Sequence, residues 1–173
     1  MNKKTYLIFG VIVCALLSSC HNDPPVVAQP EKVQNVDYRD YMSRANKINI
    51  DSEETQIQGY ISRHGWPMQE LTFGTRLWIY EPGDGEAVTE LDSVNVIYNV
   101  EAIDGKVIYE NVKESFMAGR RQTMKGLDEA VLNMHHGDHA KVILPSSMGY
   151  SVGGDGDRIP RGATLILDVK VLK

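Results

Sequence analysis

The sequence has only two cysteines, Cys14 and Cys20, among its 173 residues. Two thiols are too few for a disulfide framework or for a thiolate-rich metal site. Basic residues are also in deficit, because 18 lysines and arginines stand against 23 aspartates and glutamates, a formal net charge of −5. A nucleic-acid-binding protein needs a net basic face, so this balance argues against nucleic acid as a partner.

The apolar run Leu7 to Leu17 is too short to span a bilayer comfortably. It follows Lys3 and Lys4 and ends in Leu-Ser-Ser-Cys, with Cys20 as the last of the four residues. A positive start and a short apolar run are typical of an export signal. The terminal four residues resemble a bacterial lipobox, in which the cysteine is lipidated, for example with palmitate. An ordinary signal peptide or a short membrane anchor are the alternatives.

We predict that the chain has four segments. Residues 1–19 are a lipoprotein signal peptide, and residues 20–35 comprise lipidated Cys20 and a proline-rich linker. Prolines in that linker favour extended chain, which would hold a domain away from the bilayer. Residues 36–69 are a helical extension, and residues 70–173 are the folded domain, a length that suits one domain.

The hydrophobic periodicity changes from helical to alternating near Trp66. Before it, the pattern predicts helices over residues 36–47 and 51–64, the second ended by Gly65. After it come predicted strands, a two-residue Asp-Gly hairpin turn and one late helix. The strands cover residues 75–81, 93–103, 106–110, 115–117, 140–144 and 163–172, and the helix covers residues 124–134, with Gly137 ending it. This order predicts an α+β fold in which the helix covers one sheet face.

Three segments resemble the FKBP-type peptidyl-prolyl cis-trans isomerase family. They are residues 74–85 (GTRLWIYEPGDG), 94–105 (VNVIYNVEAIDG) and 125–173, which includes KGLDEAVLNM and IPRGATLILDVKVLK. The resemblance covers about residues 70–173. It implies an FKBP-like antiparallel twisted β-sheet wrapped on one α-helix, here preceded by a short helical extension. Together with the lipobox, it further resembles the lipoprotein branch, including the gliding-motility-associated type.

Isomerisation of an X-Pro amide crosses a barrier of about 18–20 kcal/mol without making or breaking a covalent bond. It therefore needs an apolar pocket and a few fixed hydrogen-bond donors, but no cofactor and no metal. The resemblance assigns these roles to nine positions. The catalytic residues are Tyr98, Met124, Leu127, Tyr150 and Ile159, and the substrate-binding residues are Ile108, Tyr109, Thr123 and Leu167.

The resemblance also implies what several of these residues do. The backbone N–H of Met124 and the hydroxyl of Tyr150 hold the substrate, and Leu127 forms the pocket floor. Ile108 and Tyr109 stand where the family commonly has Phe and Asp. This departure favours an alternative in which the domain binds proline-containing segments with little or no turnover, and a structural envelope lipoprotein is a further alternative.

The histidine cluster His135, His136 and His139 is the remaining candidate for metal binding. Gly137 interrupts it, and adjacent histidines diverge, so we interpret it as an exposed turn. The expected partners are proline-containing client polypeptides and, through Cys20, a membrane. We expect a monomer on the periplasmic side of the outer membrane, because His21 is not the Asp that favours inner-membrane retention.

Overall fold

The computed structural model describes residues 38–172. The predicted signal peptide and the lipidated linker with Cys20 lie outside the described residues. The chain divides into two compact units, Met1–Tyr41 and Met42–Lys173, and only the second is almost wholly described. None of the helices in the described range is long and apolar enough to cross a membrane.

The described chain is an α+β fold built on one six-stranded antiparallel sheet, as predicted. The strand order is β1-β2-β5-β6-β3-β4. The elements are α1 (Tyr38–His64), β1 (Gln69–Glu70), β2 (Arg76–Glu81), β3 (Ser93–Ala102), β4 (Val107–Met117), α2 (Lys125–Val131), β5 (His139–Leu144) and β6 (Leu165–Val171). Two short 3-10 turns, Ser146–Met148 and Ser151–Gly153, lie between β5 and β6.

Helix α2 covers the inner face of the sheet. Alternate residues of β3, from Val94 to Val100, are buried, and they share one apolar cluster with Leu127 and Val131 of the helix. A strand turns successive side chains to opposite faces, so this alternation directs one apolar row of β3 at the helix. The candidate site lies on this inner face.

Helix α1 packs against the outer face through a second, smaller cluster. Ile57 and Tyr60 of the helix are buried against Ile143 and Ile166, which are paired residues of β5 and β6. Glu53 of the same helix accepts hydrogen bonds from Ser146 and Thr164, which lie between β5 and β6. The central strands are therefore covered on both faces.

The structure corrects the predicted break in the N-terminal helix. We expected two helices over residues 36–47 and 51–64, but α1 is continuous from Tyr38 to His64. No proline or glycine lies between the two predicted segments, and the Asp51 carbonyl accepts the Thr55 hydroxyl within the helix at 2.8 Å. The predicted end is correct, since Gly65 follows with a φ of 64°.

Helix α2 and the β3–β4 hairpin also differ from prediction. Helix α2 was predicted to extend to Met134, but it ends at Val131. The N–H of Met134 bonds the carbonyl of Val131, three residues back, and the carbonyl of Met134 accepts a hydrogen bond from the N–H of Val88. These two bonds replace the helical pattern. The hairpin loop has three residues, since the Ala102 N–H bonds the Lys106 carbonyl and Gly105 adopts a φ of 87°. Strand β4 is continuous, so residues 106–110 and 115–117 are not separate strands.

Candidate active site

The structure brings the predicted site residues to one place, beside the first turn of α2. Tyr98 is on β3, Ile108 and Tyr109 are on β4, Leu167 is on β6, Met124 caps the helix that contains Leu127, and Ile159 is in the loop before β6. All of these belong to the inner cluster or pack against it. Leu127 and Leu167 are fully buried, so here they support the site from beneath and are not exposed to a peptide.

A carboxylate lies at the centre of the site. The Tyr98 hydroxyl donates to Oε2 of Glu114 at 2.8 Å, and the Thr123 hydroxyl donates to the same oxygen at 3.0 Å. The sheet register explains this contact: Glu114 pairs with Val96, so its side chain is on the same face as Tyr98. Burial and the bond to Glu114 raise the pKa of Tyr98 far above 10. The hydroxyl of Tyr98 is therefore a neutral donor that is already engaged.

The second tyrosine of the site is also engaged. The Tyr109 hydroxyl donates to Oδ2 of Asp155 at 2.5 Å and lies 3.3 Å from Oδ2 of Asp157. The bond to Asp155 raises the pKa of Tyr109 to about 12 and lowers the pKa of Asp155. The Arg158 guanidinium lies over the Tyr109 ring, 5.4 Å from its centroid. Position 109 thus joins β4 to the loop before β6.

Tyr150 differs from these two tyrosines because its hydroxyl has no hydrogen-bond partner among the described residues. It lies between the two 3-10 turns, and its side chain is 37% exposed. Burial of the hydroxyl raises the pKa of Tyr150, and the negative charges of Asp155 and Glu114 raise it further. The charges of Asp155 and Glu114 therefore act on Tyr150, which places it in the same region of the molecule as these two carboxylates. Its hydroxyl is a donor that a substrate carbonyl can use.

A cavity of about 340 Å³ opens beside the site. Ile108 and Ile159 form its apolar part, and the β3–β4 hairpin and the segment Asp157–Pro160 supply the rest of its lining. No acceptor for the Met124 N–H occurs among the described residues. The described residues thus supply an apolar wall at the cavity, and they leave a hydroxyl at Tyr150 and a backbone donor at Met124 without an acceptor.

Comparison with known proteins shows similarity to one enzyme family. The profile described as "FKBP-type peptidyl-prolyl cis-trans isomerase" matches residues 84–172, about half of the chain. The chain is also similar to "FK506-binding protein 2" of Dictyostelium discoideum, with 32% identity over 61% of this chain and 81% of that protein.

The chain belongs to the FKBP-type peptidyl-prolyl cis-trans isomerase family.

Two further likenesses are consistent with membership. The human protein "Peptidyl-prolyl cis-trans isomerase FKBP2" is 41% identical over 58 residues, which are 34% of this chain and 41% of that protein. A crystal structure of a peptidyl-prolyl cis-trans isomerase from Pseudomonas syringae pv. tomato superposes with a TM-score of 0.62. The superposition covers 73% of this chain and 93% of the Pseudomonas chain, at 23% sequence identity. At this identity the likeness supports the FKBP fold alone.

Sequence reasoning missed Glu114 as a residue of this FKBP-type site. The available signal was the alternation along β4, where Phe116 is buried and Glu114, two residues earlier, must share its face. Asp155 and Asp157 were likewise not among the predicted site residues. In the structure Asp155 accepts hydrogen bonds from Tyr109 and from two backbone N–H groups of the loop, and Asp157 lies 3.3 Å from the Tyr109 hydroxyl.

The three histidines are each engaged separately. His135 contacts Asp138, His136 bonds the Leu172 carbonyl, and His139 lies 3.1 Å from Asp168. Across residues 38–172, no group of three His, Cys, Asp or Glu side chains is arranged to hold a metal ion.

Proposed function

We propose that this protein catalyses cis-trans isomerisation of X-Pro bonds in extracytoplasmic proteins and thereby assists their folding. Family membership and the isomerase names of its relatives support the enzyme class. The observation that carries the proposal is the unbonded hydroxyl of Tyr150, on which the charges of the site carboxylates Asp155 and Glu114 act. Of the three site tyrosines, Tyr98 and Tyr109 already donate to carboxylates, and only Tyr150 has a donor to offer a substrate.

The geometry supports a mechanism based on binding alone. The proline ring packs against the apolar surface near Tyr98 and Ile159, where a twisted amide that has lost conjugation is less disfavoured than in water. The Tyr150 hydroxyl and the Met124 N–H then hold flanking carbonyls. These fixed donors favour the twisted amide over either planar isomer, which lowers the barrier.

A proline-limited refolding assay with the soluble domain tests this proposal. We expect acceleration over the uncatalysed rate, and we expect Tyr150→Phe to lower kcat/KM about two- to twelve-fold, the worth of one hydrogen bond. Tyr80→Phe is a matched control, because its hydroxyl bonds Asp168 outside the site. No acceleration by a folded domain would refute the enzyme. Unchanged kcat/KM in Tyr150→Phe would remove this tyrosine from the site.

A second candidate function is a binding or chaperone module with weak or no turnover. It is favoured by Tyr109, which stands where the family commonly has an aspartate and whose hydroxyl is held by Asp155. Under this alternative, proline peptides bind, but exchange spectroscopy detects no catalysis. The double change Ile108→Phe and Tyr109→Asp should then raise activity; an unaltered rate would show that these positions are not the cause.

We further propose that the protein is a lipoprotein of the gliding-motility-associated type, held by Cys20 on the periplasmic side of the outer membrane. The export signal, the lipobox and the proline-rich linker support this proposal. In this arrangement residues 1–19 are removed and residues 20–35 connect the lipid to the folded unit. In a Gram-negative host supplied with a labelled fatty acid, the wild-type protein should take up the label and Cys20→Ala should not; an unlabelled wild-type protein would argue against lipid anchoring.

A further inference from the structure

The candidate site has more carboxylates than cations around it. Three carboxylates lie against the site tyrosines. Glu114 accepts the hydroxyl of Tyr98, Asp155 accepts the hydroxyl of Tyr109, and Asp157 lies 3.3 Å from the latter hydroxyl. Arg158 is a cation among them; it stacks on Tyr109 and donates to the Ile108 carbonyl at 3.1 Å. The adjacent cavity adds one further carboxylate, Asp104, and one further cation, Lys106. Four carboxylates and two cations leave this group formally negative. Negative charge beside low-dielectric walls raises the local concentration and the association rate of cationic ligands.

Glu114 is the carboxylate best placed to act on a bound peptide. It is half-buried, and both of its hydroxyl donors, from Tyr98 and Thr123, bond the same oxygen, Oε2. Its other oxygen, Oε1, accepts no hydrogen bond in the described part of the chain. A carboxylate has about four acceptor positions, so Glu114 keeps capacity for a further donor. A charged donor would be favoured, because charge-assisted hydrogen bonds are stronger than neutral ones.

We propose that this site selects X-Pro segments that carry a lysine or arginine next to the proline, and that Glu114 is the specificity-determining residue. The inference rests on the proposed function and names the substrate class of that same site. Asp155 and Asp157 contribute a weaker attraction at the mouth, where solvent screens their charge and Arg158 offsets part of it.

Three peptides that differ only beside the proline test the proposal. They carry lysine, norleucine or glutamate at that position, and norleucine has nearly the shape of lysine without its charge. One series places the residue before the proline and a second places it after. With the wild-type domain at low salt, we expect the lysine peptide to bind about three- to ten-fold more tightly than the norleucine peptide in at least one series. We expect the same ratio in kcat/KM. Glutamate should be the weakest of the three.

The variant Glu114→Gln separates charge from structure. Its amide oxygen still accepts the Tyr98 and Thr123 hydroxyls, so the local packing is kept. In this variant we expect the ratio of the affinities for the lysine and norleucine peptides to fall close to one. For the wild-type domain we expect ~1 M salt to reduce the same ratio. A residue that merely anchors Tyr98 would change both peptides equally. Glu86→Gln is the control: it removes the same charge from an exposed position beside His136, beyond the far end of α2, and should leave the ratio unchanged.

Two outcomes would overturn the inference. One is a wild-type ratio of one or less in both series, and the other is a ratio that Glu114→Gln does not alter. Affinity measured by NMR titration decides the question without turnover. If no peptide is isomerised, the proposed activity fails, while the affinity ratio still supports or refutes the charge preference.

Discussion

Glu53 connects helix α1 to the loop that carries Tyr150, and its removal should weaken both stability and activity. Oε1 of Glu53 accepts the Ser146 N–H at 2.6 Å and the Thr164 hydroxyl at 2.5 Å, and Oε2 accepts the Ser146 hydroxyl at 3.1 Å. Ser146 begins the first 3-10 turn after β5, four residues before Tyr150. The carboxylate therefore fixes the start of the site loop from the opposite face of the sheet.

The expected magnitude follows from these three contacts. A hydrogen bond to a charged group contributes about 1.5–3 kcal/mol when both partners are buried. Glu53 is half-buried, and water can replace part of what is lost, so we expect Glu53→Ala to cost about 3 kcal/mol in total. Glu53→Gln keeps one carbonyl acceptor and should cost about 1 kcal/mol. At roughly 3–4 °C per kcal/mol, the alanine variant should melt roughly 10 °C below wild type.

Thermal melting and isomerase activity of the folded fraction are the two measurements. Gln56→Ala is the control on the same helix, because its side chain is exposed and, within residues 38–172, has one hydrogen bond, to Ser52. We expect Glu53→Ala to lower both the melting temperature and the activity, and Gln56→Ala to change neither by much. A Glu53→Ala domain that melts within 2 °C of wild type, on the order of half a kcal/mol, would refute this account of the helix–loop connection.

Three other variants probe the backbone and the mouth of the site. Ser151 has a φ of 56°, a conformation that strains a residue with a Cβ, so Ser151→Gly should stabilise the domain by about 0.5–1 kcal/mol in denaturant unfolding; a loss of stability would contradict this. A Cβ on Gly83 would lie 2.5 Å from the His136 carbonyl oxygen, so Gly83→Ala should cost about 1–3 kcal/mol, whereas Gly153→Ala meets no atom within 4 Å and should be neutral. The hydrogen bond from Tyr109 lowers the pKa of Asp155 below its ordinary value of 3.8. This hydrogen bond therefore stabilises the folded domain fully above pH 3.8, and the stabilisation is lost as the pH falls through the folded-state pKa of Asp155. Tyr109→Phe should therefore destabilise the domain at neutral pH, and less so at a pH below the folded-state pKa of Asp155. It should also raise the pKa of Asp155 in an NMR titration; an unmoved pKa would refute the contact.

Local pattern was sufficient for most of the sheet. The alternation of apolar residues along β3 and the Asp-Gly turn after it predict a hairpin, because a strand in a half-buried sheet must direct every second side chain inward. The family motifs near Tyr98 and Ile159 predicted the site residues that the structure then places together. Element ends were less predictable. Helix α2 ends early because Met134 pairs with Val88, a partner 46 residues away that no local pattern indicates.

What the sequence by itself determined was the α+β class, the alternating sheet and the apolar residues of the site, because each depends on neighbours along the chain. Only the tertiary structure decided which polar groups meet. Glu114 joins Tyr98 through the register of β3 and β4, Glu53 joins Thr164 across 111 positions, and Tyr150 is left with a free hydroxyl. Hydrogen bonds are short-ranged and directional, so their partners are set by the packed arrangement of distant segments rather than by the spacing of residues.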